Sequence, residues 1–129
     1  MTNEPKRLAL AYIDACGRKD WPAVTEALHE QIQFVGPGNA VTGAANYVAV
    51  LQRIAPVWVR SDVKKVFSDG PEVCVLYDFI TDTPAGAVPI VEWLSVEQGK
   101  IKSVTLLFDR VAFKPASDEL ARRLRSSES

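Results

Sequence analysis

Apolar positions in the first part of the chain recur at helical spacing. Between Glu4 and Cys16, Leu8, Tyr12 and Cys16 fall at four-residue steps with Ala11 and Ala15 beside them, the stripe of an amphipathic helix. Thr2 or Asn3 can cap its start, Pro5 suits the first turn, and Gly17 suits the stop. Asp20-Trp21-Pro22 repeats the start signal, and Val24, Ala27 and Leu28 form one face of a short second helix ending near His29. From Gln31 to Val35 the pattern alternates through Ile32 and Phe34, then breaks at Gly36-Pro37-Gly38-Asn39, as a short strand entering a turn does. After Thr42-Gly43, Tyr47, Val48, Leu51 and Ile54 return to helical spacing, and Pro56 ends this third helix near Ala55.

The period then changes to that of strands. Val57–Phe67, Glu72–Thr81 and the two arms of Val88–Asp109 are rich in β-branched and aromatic residues. They are separated by Ser68-Asp69-Gly70-Pro71, by Asp82–Gly86 and by Glu97-Gln98-Gly99. These joints fit hairpins, which predicts an antiparallel sheet. Beyond 113 the chain reads differently. Ser117-Asp118-Glu119-Leu120 is a capped start, and Leu120 and Leu124 share a face, so residues 114–129 are a short terminal helix, a partner-binding helix or frayed chain, set apart from a domain over 1–113. Helices first and strands afterwards is an α+β pattern in which helices cover one face of the sheet. A twisted sheet curling over helices leaves a concave apolar interior, where small molecules bind.

Composition narrows the function classes. At 129 residues the chain is one domain with a single core. A formal net charge of −1 gives no bulk attraction to nucleic acid or an anionic membrane, and Asp118, Glu119 and Glu128 dilute the basic cluster Arg122, Arg123 and Arg125. No apolar run is long enough to span a membrane and Met1-Thr2-Asn3-Glu4-Pro5 lacks the features of a signal peptide, so the expected location is cytoplasmic. Cys16 and Cys74 have neither metal nor redox spacing and read as reduced, buried small hydrophobes. No cofactor and no metal are expected: His29 is the single histidine and reads as a surface residue, and the Gly36–Asn39 turn lacks the spacing and lysine of a phosphate loop.

The candidate chemistry is carboxylic. Glu92 lies inside a strand, flanked at alternating positions by Ile90, Leu94 and Val96. Either it points into a pocket, where desolvation raises its pKa and makes it a neutral donor, or it faces solvent or pairs with an arginine. Trp93 then faces the opposite way. Asp78 shares a face with Cys74, Leu76 and Ile80, which makes it a candidate base, but Val75, Tyr77 and Phe79 make the other face apolar as well. Asp109 ends the last strand, either at a pocket mouth or as an exposed acid beside Arg110. Phe34, Tyr47 and Trp58, from different elements, are the expected aromatic pocket walls.

A family resemblance sharpens these expectations. The order AYIDACGRKDWPAVTEALHEQIQFVGPGN, then VTGAANYVAVLQRI, then VEWLSVEQGKIKSVTLLFD resembles the nuclear transport factor 2-like superfamily, in particular its SnoaL-like polyketide cyclase and ketosteroid isomerase branch. The resemblance covers about residues 5 to 110. It implies a cone-shaped curved antiparallel sheet wrapped around three N-terminal helices, of the kind also called cystatin-like. It further implies an apolar pocket for a small apolar ligand and a homodimer through the sheet. In the isomerase branch a helix-one tyrosine and a protonated strand acid form an oxyanion hole, and another carboxylate moves the proton. Tyr12, eight residues before Asp20, matches that tyrosine, and Glu92 matches the strand acid with one residue of turn length absorbed before Gly99-Lys100. The base position falls on Gly36, which cannot move a proton, leaving Asp78 as a replacement. Two functions follow as expectations: an isomerase, cyclase or dehydratase acting on an apolar carbonyl compound through Tyr12, Glu92 and Asp78, or a non-catalytic ligand-binding or dimerisation module.

Overall fold

A computed structural model describes residues 4–128. Helix α1 spans Glu4–Arg18 and α2 Trp21–Ala27; strands β1 (Leu28–Gly36) and β2 (Asn39–Thr42) form a hairpin, and α3 runs over Ala44–Ile54. A 3-10 turn at Ala55–Val57 leads into β3 (Trp58–Asp69), β4 (Glu72–Thr81), β5 (Ala87–Glu97) and β6 (Lys100–Phe108), and α4 covers Arg110–Glu128. The caps expected at Thr2 or Asn3 lie outside the described residues. The Asp20 signal acts as the pattern predicts, its Oδ1 accepting from the Ala23 N–H at 3.2 Å. Among the described residues no helix is long and apolar enough to cross a membrane.

The six strands form one curved, unclosed sheet in the order β2-β1-β6-β5-β4-β3. Four of its five pairings are antiparallel, but β1 runs parallel to β6, with Phe34 opposite Val104. The sheet is therefore mixed. Hairpin joints constrain only neighbours in sequence, and this pairing joins the two ends of the fold. Helices α1, α2 and α3 fill the concave face. Strand β4 shows the division most cleanly: Val73, Val75, Tyr77 and Phe79 are buried, while Cys74, Leu76, Asp78 and Ile80 are half-buried on the other side. Cys74 thus differs from the expectation of burial, whereas Cys16 is buried on α1. Trp93 is on the outer face and 51% exposed, its indole N–H donating to Glu72.

The tail also differs from its sequence reading. Helix α4 begins at Arg110, well before Ser117, so the boundary expected at 113 falls within it. Asp109 is its cap, with Oδ1 accepting from the N–H groups of Val111 (2.8 Å) and Ala112 (3.3 Å). Ala116 is fully buried, and the Phe113 ring meets Phe108 and Phe79 with centroids 5.3 and 5.8 Å apart. Near the far end the Arg123 guanidinium donates to the Pro56 carbonyl and lies 3.0 Å from Asp82.

Candidate functional site

Strand β5 is flanked by β4 and β6, and on it Glu92 sits opposite Val75 on one side and Leu106 on the other. Period-two alternation places it on the concave face with Ile90 and Leu94, and it is 3% exposed. Tyr77, diagonal to it on β4, donates its hydroxyl proton to Oε1 at 2.9 Å. The other oxygen, Oε2, is buried and has no hydrogen-bond partner among the described residues. Burial raises the carboxyl pKa to about 7, outweighing the hydroxyls of Tyr77 and Tyr12, which pull it down. Near neutrality a large share of the molecules therefore carries Glu92 as the neutral acid. Since Oε1 accepts from Tyr77, the acid proton belongs on Oε2.

Around this group lies a cavity of about 50 Å³. Tyr12, Ile13 and Cys16 of α1, Tyr47, Val50, Leu51 and Ile54 of α3, and Phe34, Trp58, Tyr77, Phe79, Ile90 and Leu106 of the strands line it with Glu92. Val50, Ile54 and Leu106 are the half-buried members of this lining. The Tyr12 and Tyr47 hydroxyls are hydrogen-bonded to each other. Burial, with the nearby Glu92 and Cys16 groups, pushes both phenols well above their ordinary range, so both remain protonated. Phe34 stacks on Tyr47 at 4.8 Å between centroids, and Trp58 packs on Phe79 at 4.7 Å. The Cys16 thiol is likewise pushed up by burial and then by Glu92, which makes it a poor nucleophile.

Five of the residues singled out from the sequence thus meet at one cavity: Tyr12, Glu92, Phe34, Tyr47 and Trp58. Two do not. Asp78 is on the outer face, because Tyr77 and Phe79 take the inward positions of β4, and its carboxylate lies 3.3 Å from Lys64 Nζ. It cannot reach a ligand held by Glu92. Asp109 is exposed and its carboxylate is spent on capping α4 rather than on the cavity. Sequence reasoning passed over Tyr77 and Cys16. Cys16 lies one turn after Tyr12 on the same stripe, and Tyr77 follows once Glu92 is inward and Val75 is its cross-strand partner. At Gly36 an added Cβ would stand 2.9 Å from Phe34 Cζ, so the Phe34 ring already lies over the place a side chain there would enter.

Residues 9–104 match the family model described as a SnoaL-like domain. Among solved structures, a protein from Kribbella flavida DSM 17836 is 27% identical, with 95% of this chain and 96% of that one covered and a TM-score of 0.79. An NTF2-like protein from Cytophaga hutchinsonii is 26% identical over 84% of this chain and 94% of its own, with a TM-score of 0.73. A second Kribbella flavida protein, provisionally designated a ketosteroid isomerase, is similar in fold, at 23% identity over 84% and 79% of the two chains and a TM-score of 0.74. No protein of curated function matches the sequence.

Proposed function

The chain belongs to the SnoaL-like domain family, and from that premise we propose that it is a pocket protein whose Glu92 carboxyl donates a hydrogen bond to the oxygen of a small, largely apolar carbonyl compound. The observation that carries this reading is the buried, unpartnered Oε2 of Glu92 on the wall of an apolar cavity. A buried polar atom without a partner costs on the order of 1–3 kcal/mol, a cost that a ligand oxygen accepting its proton removes. The Tyr12–Tyr47 hydroxyl pair supplies a second polar contact on the helix side. Polarising a carbonyl oxygen in this way stabilises the enolate-like charge that develops in isomerisation, cyclisation and dehydration alike.

Binding without proton transfer is the form of this function that the lining favours. Among the described residues of the cavity wall Glu92 is the only carboxyl, and the Phe34 ring lies over Gly36. A donor is present and a second acid to act as base is not. With about 50 Å³ open, against roughly 300 Å³ or more in pockets for drug-sized ligands, the unexpanded cavity suits a short ketone or one end of a larger ligand. The test is titration of 2-pentanone into the wild type and Glu92→Ala at pH 6. Losing one good hydrogen bond weakens binding about tenfold. Equal affinity in the two proteins removes the proposed donor role.

The outer face carries a separate proposal, a homodimer formed sheet to sheet with a second copy. Val35 of β1, Leu107 of β6, Trp93 of β5 and Phe67 of β3 are each more than half exposed, and Leu76 and Val91 lie on the same face between them. An apolar band crossing several strands marks an interaction surface. Using the same patch on both copies closes the assembly at two.

A further inference from the structure

We propose that the cavity is also a recognition site for a small protonated amine, with the unpartnered Oε2 of Glu92 receiving the ammonium and the surrounding rings receiving its alkyl chain. The inference goes beyond the carbonyl reading and shares with it only the premise that this cavity admits a ligand. Three observations lead to it.

The first is charge. Among the described residues of the wall Glu92 is the only group that can carry a full negative charge near neutral pH, and no Lys, Arg or His lines the cavity. The titratable groups around Glu92 are Tyr12 and Cys16 from α1, Tyr47 from α3 and Tyr77 from β4, all held protonated by burial; its pairing neighbours on β4 and β6 are Val75 and Leu106. The carboxyl thus has no counter-ion of its own, and a cation entering the cavity supplies one. The second is the wall itself. Tyr12, Phe34, Tyr47, Trp58, Tyr77 and Phe79 contribute six rings, the surface that attracts a desolvated cation most strongly.

The third is the geometry of the carboxyl, which selects among cations. A guanidinium pairs best through two oxygens, and Oε1 is already occupied by the Tyr77 hydroxyl. A hard metal ion wants several oxygen ligands, and one carboxylate oxygen beside neutral phenols does not provide them. One free oxygen suits a single N–H donor. A tertiary alkylammonium has only that one N–H, and a primary one of a few carbons gives one N–H to Oε2 and turns its other two toward the Tyr12–Tyr47 hydroxyl oxygens and the ring faces; either fits a cavity of this size.

Protonation separates the two ligand classes. An ammonium needs ionised Glu92, whereas a ketone needs the neutral acid. With a carboxyl pKa of about 7, the ionised fraction rises from about one tenth at pH 6 to about nine tenths at pH 8. Over this range butylammonium stays protonated, as a lysine side chain does. Butylammonium and 2-pentanone are therefore titrated separately into the full chain at pH 6 and pH 8, at constant ionic strength, with binding followed by amide NMR shifts. Butylammonium is expected to bind about tenfold tighter at pH 8, 2-pentanone about tenfold tighter at pH 6, and Glu92→Gln to lose butylammonium at both. Butylammonium affinity that is equal at the two pH values, survives in Glu92→Gln, or is absent while 2-pentanone binds overturns the amine site and leaves the carbonyl reading standing; failure of both ligands overturns both. A wild-type measurement covers the case of a poorly folded variant: the carbon-13 titration of the Glu92 carboxyl moves to lower pH with saturating butylammonium. A shift to higher pH, or none, overturns the inference.

Discussion

Replacing Glu92 with Gln changes the pH dependence of stability in a way that isolates one carboxyl. In the folded chain its pKa is raised from 4.5 to about 7, mainly by burial, so between these values the native state holds a proton that the unfolded chain has released. Stability therefore falls as pH rises through this window, is highest below about 4.5 as far as Glu92 is concerned, and levels off above 7. A separation of about 2.5 pH units corresponds to about 3 kcal/mol at about 1.4 kcal/mol per unit. Because the group is 3% exposed, little solvent screening reduces this figure. Gln keeps the shape, accepts the Tyr77 proton and never ionises. Urea unfolding of both proteins at pH 4 and pH 8 should then give near-equal stabilities at about pH 4 and a Glu92→Gln variant more stable than the wild type by about 3 kcal/mol at about pH 8. In a chain of this length the gap at pH 8 corresponds to roughly 10 °C in Tm. Glu119, whose pKa is lowered to about 2 by its arginine neighbours, is present in both proteins and cancels in the difference. Parallel pH profiles for the two proteins would refute the claim that Glu92 is buried without a counter-charge.

Two further outcomes test the site and the outer face. Tyr77→Phe removes the donor to Oε1, so the Glu92 pKa should rise above its wild-type value in a carbon-13 titration, and unfolding at pH 8 should show a loss of about 1–3 kcal/mol; an unchanged titration would mean that the Tyr77 contact does not hold the carboxyl. Trp93→Asp combined with Leu107→Asp places like charges on both copies of the proposed dimer face, so sedimentation should report a dimer for the wild type and a monomer for the variant; a monomeric wild type, or a dimeric variant, would refute this interface.

The parts of this molecule that could be read from the chain are those governed by local period. The α1 stripe through Tyr12 and the α3 stripe through Tyr47 and Leu51 are helical in the structure, and Glu92 and Trp93 take opposite faces as alternation requires. What could not be read depends on partners distant in sequence. Strand β4 is apolar on both faces, so alternation alone cannot say whether Tyr77 or Asp78 turns inward; its register against β5 decides it, and decides against Asp78. The parallel pairing of β1 with β6 has no local signature at all. Asp109 reads as an acid at a strand end because the capped start visible in the chain is at Ser117, whereas α4 already begins at Arg110 and carries Pro115 inside it. Its cap and the burial of Ala116 explain how that helix holds together.

The parallel β1–β6 pairing has a consequence in time. Gln33 meets Ser103 and Phe34 meets Val104, with most of the chain between them. When synthesis has delivered α1 through α3, β1 has β2 along one edge but nothing along the other, since β6, which pairs there, is among the last strands to be made. The first half of the chain thus cannot complete a cooperative unit by itself. Closing so long a loop before its contacts reward it slows folding, and the interval leaves an apolar strand edge open to other chains. The cavity around Glu92, which borrows Leu106 from β6, is complete only once that last strand is in place.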